Sequence, residues 1–487
     1  FGSSNSSSSC CHRPPRPSAA ACGRLRLCPL AAMATAGGEG AEAEALGRLG
    51  EGGSLVELRA APLMPAAAGA APAGGYVASL AAVAPLALLC DALAARLSAE
   101  AADVALLFEG RVLDASQTLE ENGVLTSGSA PETHLLLHFE LWGRPMVTRD
   151  VVKSLVGTWR KDPPDFSQRP PLAELINLTT GSQACEWARA AFCTAYGPRI
   201  SNEDAHICQC DWTTLPSAGA ETGAPAALFA VCDGHGGVAA SQHLSEHLGA
   251  ELQSELSGCR EAGAAGEEGA RARRAAFERG FLAADERLGS ETRAGSITCG
   301  TTCIVAAVFA ADASATGGDY RVLLANVGDS RALLYRTATD SLAETRDHKP
   351  DEAREKRRIR SAGGWVLPAD SPAPARLDGI LATSRAFGDF RFKADAGRAP
   401  EGQKVVAVPE VCELEASSGD LLLLACDGIF DVLSSTEVMA LALRSLECGG
   451  PEGQAGDAEA ATATVVWAAL QRGTNDNTTC LVVQLGK

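Results

Sequence analysis

Acidic residues recur at five points where short apolar runs begin or end. Arg199-Ile200-Ser201-Asn202-Glu203-Asp204 precedes a strand-like segment, and Asp233-Gly234-His235-Gly236-Gly237 follows the run Leu228 to Cys232. Asn326-Val327-Gly328-Asp329-Ser330-Arg331 lies between Val322 to Ala325 and Ala332 to Tyr335, a pattern that predicts a hairpin turn. Asp427-Gly428 follows Leu421 to Cys426, and Asp476-Asn477 precedes Thr479 to Leu485. One such turn is ordinary loop chemistry, in which Asp bonds its own backbone. Five at the boundaries of buried strands predict carboxylates converging on one sheet edge, where they repel unless a cation holds them. Every donor is oxygen, with no cluster of Cys and His, so Mg²⁺ or Mn²⁺ suits the set better than zinc. His235 adds a titratable acid beside Asp233.

Short apolar runs bounded by turn residues are what must carry these acids, and Leu228 to Cys232 predicts a buried strand. Apolar residues make up 46% of the 487-residue chain, enough for globular cores, and the length predicts two or three domains. A formal net charge of -18 argues against a nucleic-acid binder, which needs a positive footprint. The longest membrane candidate, Ala81 to Leu97, is broken by Asp91 and Arg96, which predicts a soluble protein with no membrane partner. Seventeen cysteines are scattered, several inside apolar runs (Cys232, Cys303, Cys426, Cys480), and none has CxxC spacing. Buried thiols in a reducing compartment, cytoplasmic or nuclear, are the plainer expectation.

Residues 1–32 are rich in Ser, Pro and Arg and lack Asp and Glu. That composition suits an organellar transit segment, or an untranslated leader read through to a start at Met33, the second being favoured. The expectation for 1–53 is a disordered leader. From Ser54 the pattern tightens: Val56 to Leu58 and Tyr76 to Leu80 predict a hairpin, and Pro85 to Leu97 a helix on Leu86, Leu89, Leu93 and Leu97. Residues 142–184, with Pro163-Pro164 and Pro170-Pro171, read as a linker holding one helix at Thr148 to Val156. A second domain is expected over 185–487.

Two resemblances follow. Leu107-Phe108-Glu109-Gly110-Arg111-Val112-Leu113, Thr118-Leu119 and Gly123-Val124 resemble the ubiquitin family over 54–141. This implies a small β-grasp docking domain with proteasome or ubiquitin-receptor proteins as partners. A spacer role is the alternative. In the second domain, a series of motifs resembles the protein phosphatase 2C family, in family order: Arg199 to Ala205, Asp233 to Gly237, Gly300-Thr301-Thr302 and Gly328-Asp329-Ser330-Arg331. Asp347-His348-Lys349-Pro350, Ala362-Gly363-Gly364, Ser384 to Asp389, Ala425 to Asp431 and Asp476-Asn477 continue the series. The implied fold is α+β, a four-layer α-β-β-α sandwich of two antiparallel sheets flanked by helices. The implied activity is hydrolysis of phosphoserine and phosphothreonine in proteins by a monomer, with two Mg²⁺ or Mn²⁺ ions. By the resemblance, Asp233 bridges the two ions, the Gly234 carbonyl binds one, and Asp427 and Asp476 complete the first ion's shell. Glu203, with Asp204 close by, holds the second, and Asp329 and Asp431 match positions of a weaker third. Arg199 matches the phosphate-binding arginine and His235 the general acid, while Asp389 is left structural. A hydroxide shared by the two ions would attack phosphorus directly.

The rival expectation is a non-catalytic scaffold on the same fold, acting through the ubiquitin-like domain. Retention of the whole carboxylate set weighs against it. His243-Leu244-Ser245-Glu246-His247 spells a zinc-peptidase pattern, yet a helix with a charged outer face is expected there in any case. Lys349 to Arg360 reads as a solvated basic helix face, no nucleotide-binding GxxxxGK[ST] loop occurs, and Asn177-Leu178-Thr179 is a glycosylation acceptor at odds with the cysteine usage.

Overall fold

The computed structural model describes residues 178–212, 226–257, 266–291, 298–310, 319–370, 373–448 and 457–486, and shorter segments between 44 and 161. The leader 1–32, the Pro163-Pro164 and Pro170-Pro171 pairs and Asn177 lie outside the described residues.

Two antiparallel sheets dominate. The first holds β10 (Ala205–Gln209), β11 (Ala226–Cys232), β14 (Cys303–Ala310), β15 (Asp319–Val327) and β21 (Glu410–Ser417), in that order. The second runs β7 (Met146–Arg149), β17 (Ser341–Glu344), β16 (Arg331–Arg336), β22 (Leu421–Ala425), β23 (Thr478–Leu485), β9 (Ala188–Ala195) and β8 (Leu178–Ala184). Alternation along β11 explains how the layers stack. Ala227, Phe229 and Val231 join Leu334, Leu424 and Leu481 in the core between the sheets, while Leu228, Ala230 and Cys232 face helices. Those helices are α3 (Ala239–Ser257) and α4 (Gly266–Glu291), which bury Leu244, Leu248, Leu252 and Leu256 against Phe277, Phe281 and Leu288. The spacing of four and seven residues is that of one helix face. On the far side of the second sheet, α2 (Val152–Lys161), α7 (Ser435–Cys448) and α8 (Ala458–Gln471) cover Leu333, Leu423 and Val482. The four-layer α-β-β-α arrangement expected from the motifs is present.

Before it, α1 (Ala87–Leu97) buries Leu86, Leu89 and Leu93 with Leu58, Leu106 and Leu137. A six-stranded sheet surrounds this core. It consists of β1 (Glu44–Leu49), β2 (Leu55–Pro62), β3 (Tyr76–Ala81), β4 (Val104–Phe108), β5 (Arg111–Val112) and β6 (His134–Leu141), in the order β1-β3-β2-β6-β4-β5. Smaller pieces complete the chain: β12 (Gly234–His235), β13 (Gly300–Thr301) and β20 (Phe387–Gly388) form one ribbon, and β18 (Val366–Leu367) pairs with β19 (Arg376–Leu377). Two further helices, α5 (Ala353–Ser361) and α6 (Asp427–Phe430), flank the acidic turns.

Four expectations change. The 326–331 turn is no hairpin: both edges of β15 are taken by β14 and β21, so β16 crosses to the other sheet and pairs with β17 and β22. The 142–184 stretch is no plain linker, because β7 pairs with β17 and β8 with β9, making both edges of the second sheet. Its helix is Val152–Lys161, with Thr148 in β7. Within the 1–53 leader, β1 pairs in parallel with β3 through backbone bonds that side-chain pattern does not announce. The Lys349 to Arg360 run is only partly a solvated face, since Glu355 and Ile359 are buried and Glu355 sits between Arg358 and Arg385.

Candidate active site

Asp233 ends β11, and its carbonyl accepts from Thr302 N (2.9 Å) and Thr301 Oγ1 (3.0 Å), which fix the turn against β13. Asp204 arrives from the start of β10, beside β11, and its Oδ2 accepts from Thr479 Oγ1 at 2.6 Å. Asp427 opens α6 where β22 ends, and Asp431 caps the same turn, its N–H bonding the Asp427 carbonyl at 2.7 Å. Asp476 precedes β23, and Asp329 lies in the crossing from β15 to β16. Strand ends from both sheets thus bring the acids to one place, as the turns predicted.

Their electrostatics are those of a cluster short of positive charge. Burial pushes Asp233 well above the usual carboxylate range, and Asp427, Asp204, Asp329 and Asp476 push it further. Asp427 is raised by burial and by Asp329 and Asp431, with Lys349 pulling the other way. Asp204 rises to about 6, chiefly through burial, and Asp431 and Asp476 are raised for the same first reason. Buried Asp204 Oδ1 has no hydrogen-bond partner among the described residues. An orphaned carboxylate oxygen amid mutually repelling acids is what a hard divalent cation satisfies. One ligand atom each of Asp204, Asp233 and Cys426 lie within 4.8 Å of one another. The Cys426 thiol is held protonated, by burial first and then by Asp204 and Asp233, and it bonds Asn477 O and Thr479 N. A soft thiolate ligand is therefore absent from this set, and the residues fit Mg²⁺ or Mn²⁺.

Two basic groups already touch the cluster. Lys349 Nζ donates to Asp329 Oδ2 at 2.5 Å; burial opposes its charge, but Asp329 and Asp427 more than offset this and raise its pKa. Asp329, matched to a weaker third ion, thus carries an ammonium partner. Arg199 donates from Nη2 to Asp476 Oδ2 (2.7 Å) and from Nε to Asn475 O (2.8 Å), while Nη1 is in neither bond. Glu203 lies at the margin: its N–H bonds Asn477 Oδ1 at 3.0 Å, and its charge raises Asp476. Gly234 packs so tightly there that a Cβ would stand 2.2 Å from the Glu203 carbonyl oxygen.

His235 departs from the expectation in one respect. Its Nε2 lies 2.6 Å from Asp389 Oδ2, and Asp389 is buried (2% exposed) with φ of 50°. A left-handed non-glycine residue in such a place is strained backbone held by its surroundings. Gly300 makes the pair possible, because a Cβ there would lie 2.4 Å from Asp389 Oδ2 and 2.7 Å from His235 Nε2. Asp389, read from sequence as structural, touches the proposed acid. Lys349 and Asn477 were likewise given no role. Asn477 bonds Glu203 N, Tyr196 O and Ser201 O and so ties two acidic turns together. The Asp-His-Lys-Pro motif carried Lys349 in plain view, but nothing in sequence spacing says which acid it meets.

A family model described as "Protein phosphatase 2C" matches residues 188–478. The chain belongs to the protein phosphatase 2C family. Relatives include human "Probable protein phosphatase 1N", 37% identical over 314 residues, covering 62% of this chain and 62% of the relative. "Protein phosphatase 1B" from Bos taurus is 33% identical over 297 residues, covering 59% and 54%. The match to the human relative thus spans less than two thirds of that protein's own length. Among solved structures, "Crystal structure of a phosphatase from a pathogenic strain Toxoplasma gondii" superposes with a TM-score of 0.51 at 26% identity, covering 63% of this chain and 95% of that one. The family model falls on the two-sheet body and leaves β1 to β8 outside it.

Proposed function

We propose that the chain hydrolyses phosphoserine and phosphothreonine in proteins with Mg²⁺ or Mn²⁺. The observation that carries this reading is the convergence of Asp204, Asp233 and Asp427 from both sheets, with pKa values raised by burial and mutual repulsion. Asp233, Asp427 and Asp476 would hold one ion, Asp233, Glu203 and Asp204 a second, and the Gly234 carbonyl would bind one of the two. When bound, such a pair supplies charge neutralisation at phosphorus and lowers the pKa of water. Arg199 would steady the phosphate through its planar fork. His235 would give a proton to the departing seryl or threonyl oxygen from Nδ1, the ring nitrogen that Asp389 does not engage, while Asp389 would hold the imidazole by Nε2.

Two substrates separate these roles in the purified full-length chain. Phosphothreonine peptide has a poor leaving group, while p-nitrophenyl phosphate leaves with little help from an acid. His235→Ala should lower turnover of the peptide by roughly 10²-fold or more and leave the aryl ester far less affected. Asp389→Asn should show the same bias, more weakly, whereas damage to folding alone would depress both substrates alike. Absence of metal-dependent, EDTA-sensitive phosphate release from the wild-type chain would overturn the whole reading.

A second proposal concerns residues 54–141. A docking role as a ubiquitin-like domain is supported by β2 pairing in parallel with β6, flanked by the antiparallel pairs β2–β3 and β4–β6, with α1 over the core. Partners would be proteasomal or ubiquitin-receptor proteins. Titration of the full chain against such purified receptors tests it, and no detectable binding removes the role.

A further inference from the structure

His243 and His247 stand one turn apart on α3, and Glu291 closes α4. The two helices run antiparallel, as Arg279–Glu255 and Arg287–Glu251 contacts demonstrate, so the end of α4 meets the start of α3. One ligand atom from each of His243, His247 and Glu291 lies within 4.8 Å of the others. His243 Nδ1 is 3.6 Å from Glu291 Oε2, too long for a hydrogen bond. Ligands on a tetrahedral zinc with bonds of about 2.1 Å stand roughly 3.4 Å apart, so small side-chain rotations would close the site.

The surrounding contacts prepare each ligand. His247 Nδ1 lies 2.9 Å from the His243 carbonyl, the bond of a donor N–H, which leaves its Nε2 lone pair for a cation. Glu291 Oε1 accepts from Arg287 Nε at 2.8 Å, and that bond aims Oε2 at His243. His243 is 12% exposed, and its Nε2 is buried with no hydrogen-bond partner among the described residues. The two rings stack with centroids 4.3 Å apart. Burial first, and then His247, lowers the His243 pKa.

We propose that His243, His247 and Glu291 form a zinc-class metal site, separate from the carboxylate cluster, with solvent completing the shell on the exposed side of Glu291. Two imidazoles and one carboxylate suit Zn²⁺, and Co²⁺ as its probe, whereas Mg²⁺ prefers an all-oxygen shell. The site is a clamp and not a peptidase centre. It joins α3, which starts just after Gly237, to the end of α4, from which the chain returns to Gly300, the partner of His235. A cation there braces the catalytic turn from behind.

The full-length chain, stripped of metal and then given excess Mg²⁺ to fill the carboxylate cluster, is titrated with Co²⁺. The wild-type spectrum is compared with those of Glu291→Gln and His247→Gln. Each variant should bind one Co²⁺ fewer and lack the visible bands of a tetrahedral nitrogen–oxygen site, and Zn²⁺ should bleach those bands in the wild type. Thiolate charge-transfer bands from cysteines cancel in the difference. Zn²⁺ should also raise the Tm of the wild type above that of either variant. Glu291 is 47% exposed at a helix end, so its variant tests ligation without disturbing the core. Equal Co²⁺ stoichiometry and superimposable spectra in all three proteins would overturn the proposal, and would leave the phosphatase reading untouched.

Discussion

Asp233→Asn should abolish turnover and, in the metal-free protein, raise thermal stability. Both effects come from one carboxylate. Asp233 sits where Asp204 and Asp427 meet, and its charge in the folded state is opposed by burial and by four neighbouring acids. Loss of a group that shares both proposed ions removes several kcal/mol of transition-state stabilisation, a fall of about 10³-fold or more. Without metal the same change relieves repulsion. About 1 kcal/mol of relief corresponds to a rise of roughly 2–4 °C in Tm for a domain of this size. A pH series separates relief from a general packing gain. The folded pKa of these acids lies above the unfolded value of 3.8, reaching about 6 for Asp204 and raised well above 3.8 for Asp233 and Asp427. The folded state therefore holds protons that the unfolded chain has released. Stability from the cluster is full in acid and is lost as pH climbs from about 4 through 6 and beyond. Melts in EDTA should show Tm falling over that range in the wild type and falling less in Asp233→Asn. Equal slopes, or an active variant, would count against the cluster as described.

Glu355→Gln should be the most damaging change away from the acids. The Glu355 carboxylate, 1% exposed, accepts from Arg385 Nη2 and Arg358 Nη1 at 2.6 Å each and from Ser384 Oγ at 2.6 Å. Burial opposes its charge, but Arg385 and Arg358 outweigh that and hold it well below the usual range. Neutralising Glu355 leaves two buried guanidinium groups without their counter-charge, a loss of about 3–5 kcal/mol. Replacing Glu355, Arg358 and Arg385 together by apolar residues of similar volume should recover most of it. The exposed Arg398–Asp395 pair is the control, since such pairs contribute about 1 kcal/mol or less. Denaturant titration of the four proteins decides the matter, and a Glu355→Gln loss no larger than that of Arg398→Ala would refute the role. Arg385 also lies in the segment that leads to Asp389, so the network fixes one end of the His235 contact.

The acids were legible because each one interrupts an apolar strand, a signal local to a few residues. Their convergence followed from counting strand ends. Which strand pairs with which was not legible: 319–327 and 331–336 look like the arms of a hairpin, and only the occupied edges of β15 send β16 to the other sheet. Met146–Arg149 and Leu178–Ala184 escaped notice because an edge strand is held by backbone bonds and needs little apolar pattern of its own. Lys349 and Asp389 stood in recognised motifs, yet their partners Asp329 and His235 are distant in sequence, so their roles appear only once the chain is folded. Glu355 was lost in a basic run, where its neighbours' charges suggested solvent.

The outer strands of the larger sheet matter for how this protein can be handled. The stretch that carries the family's motifs begins at residue 188. A fragment trimmed to it would keep β9 and β17 but shed β8 and β7, the strands that cover their outer edges. Two rows of unpaired amides and carbonyls would then face water, the template on which strands of separate molecules join. Such a fragment would hold every acid of the cluster and still be prone to self-association. In this protein, β7 and β8 are the guard against self-association.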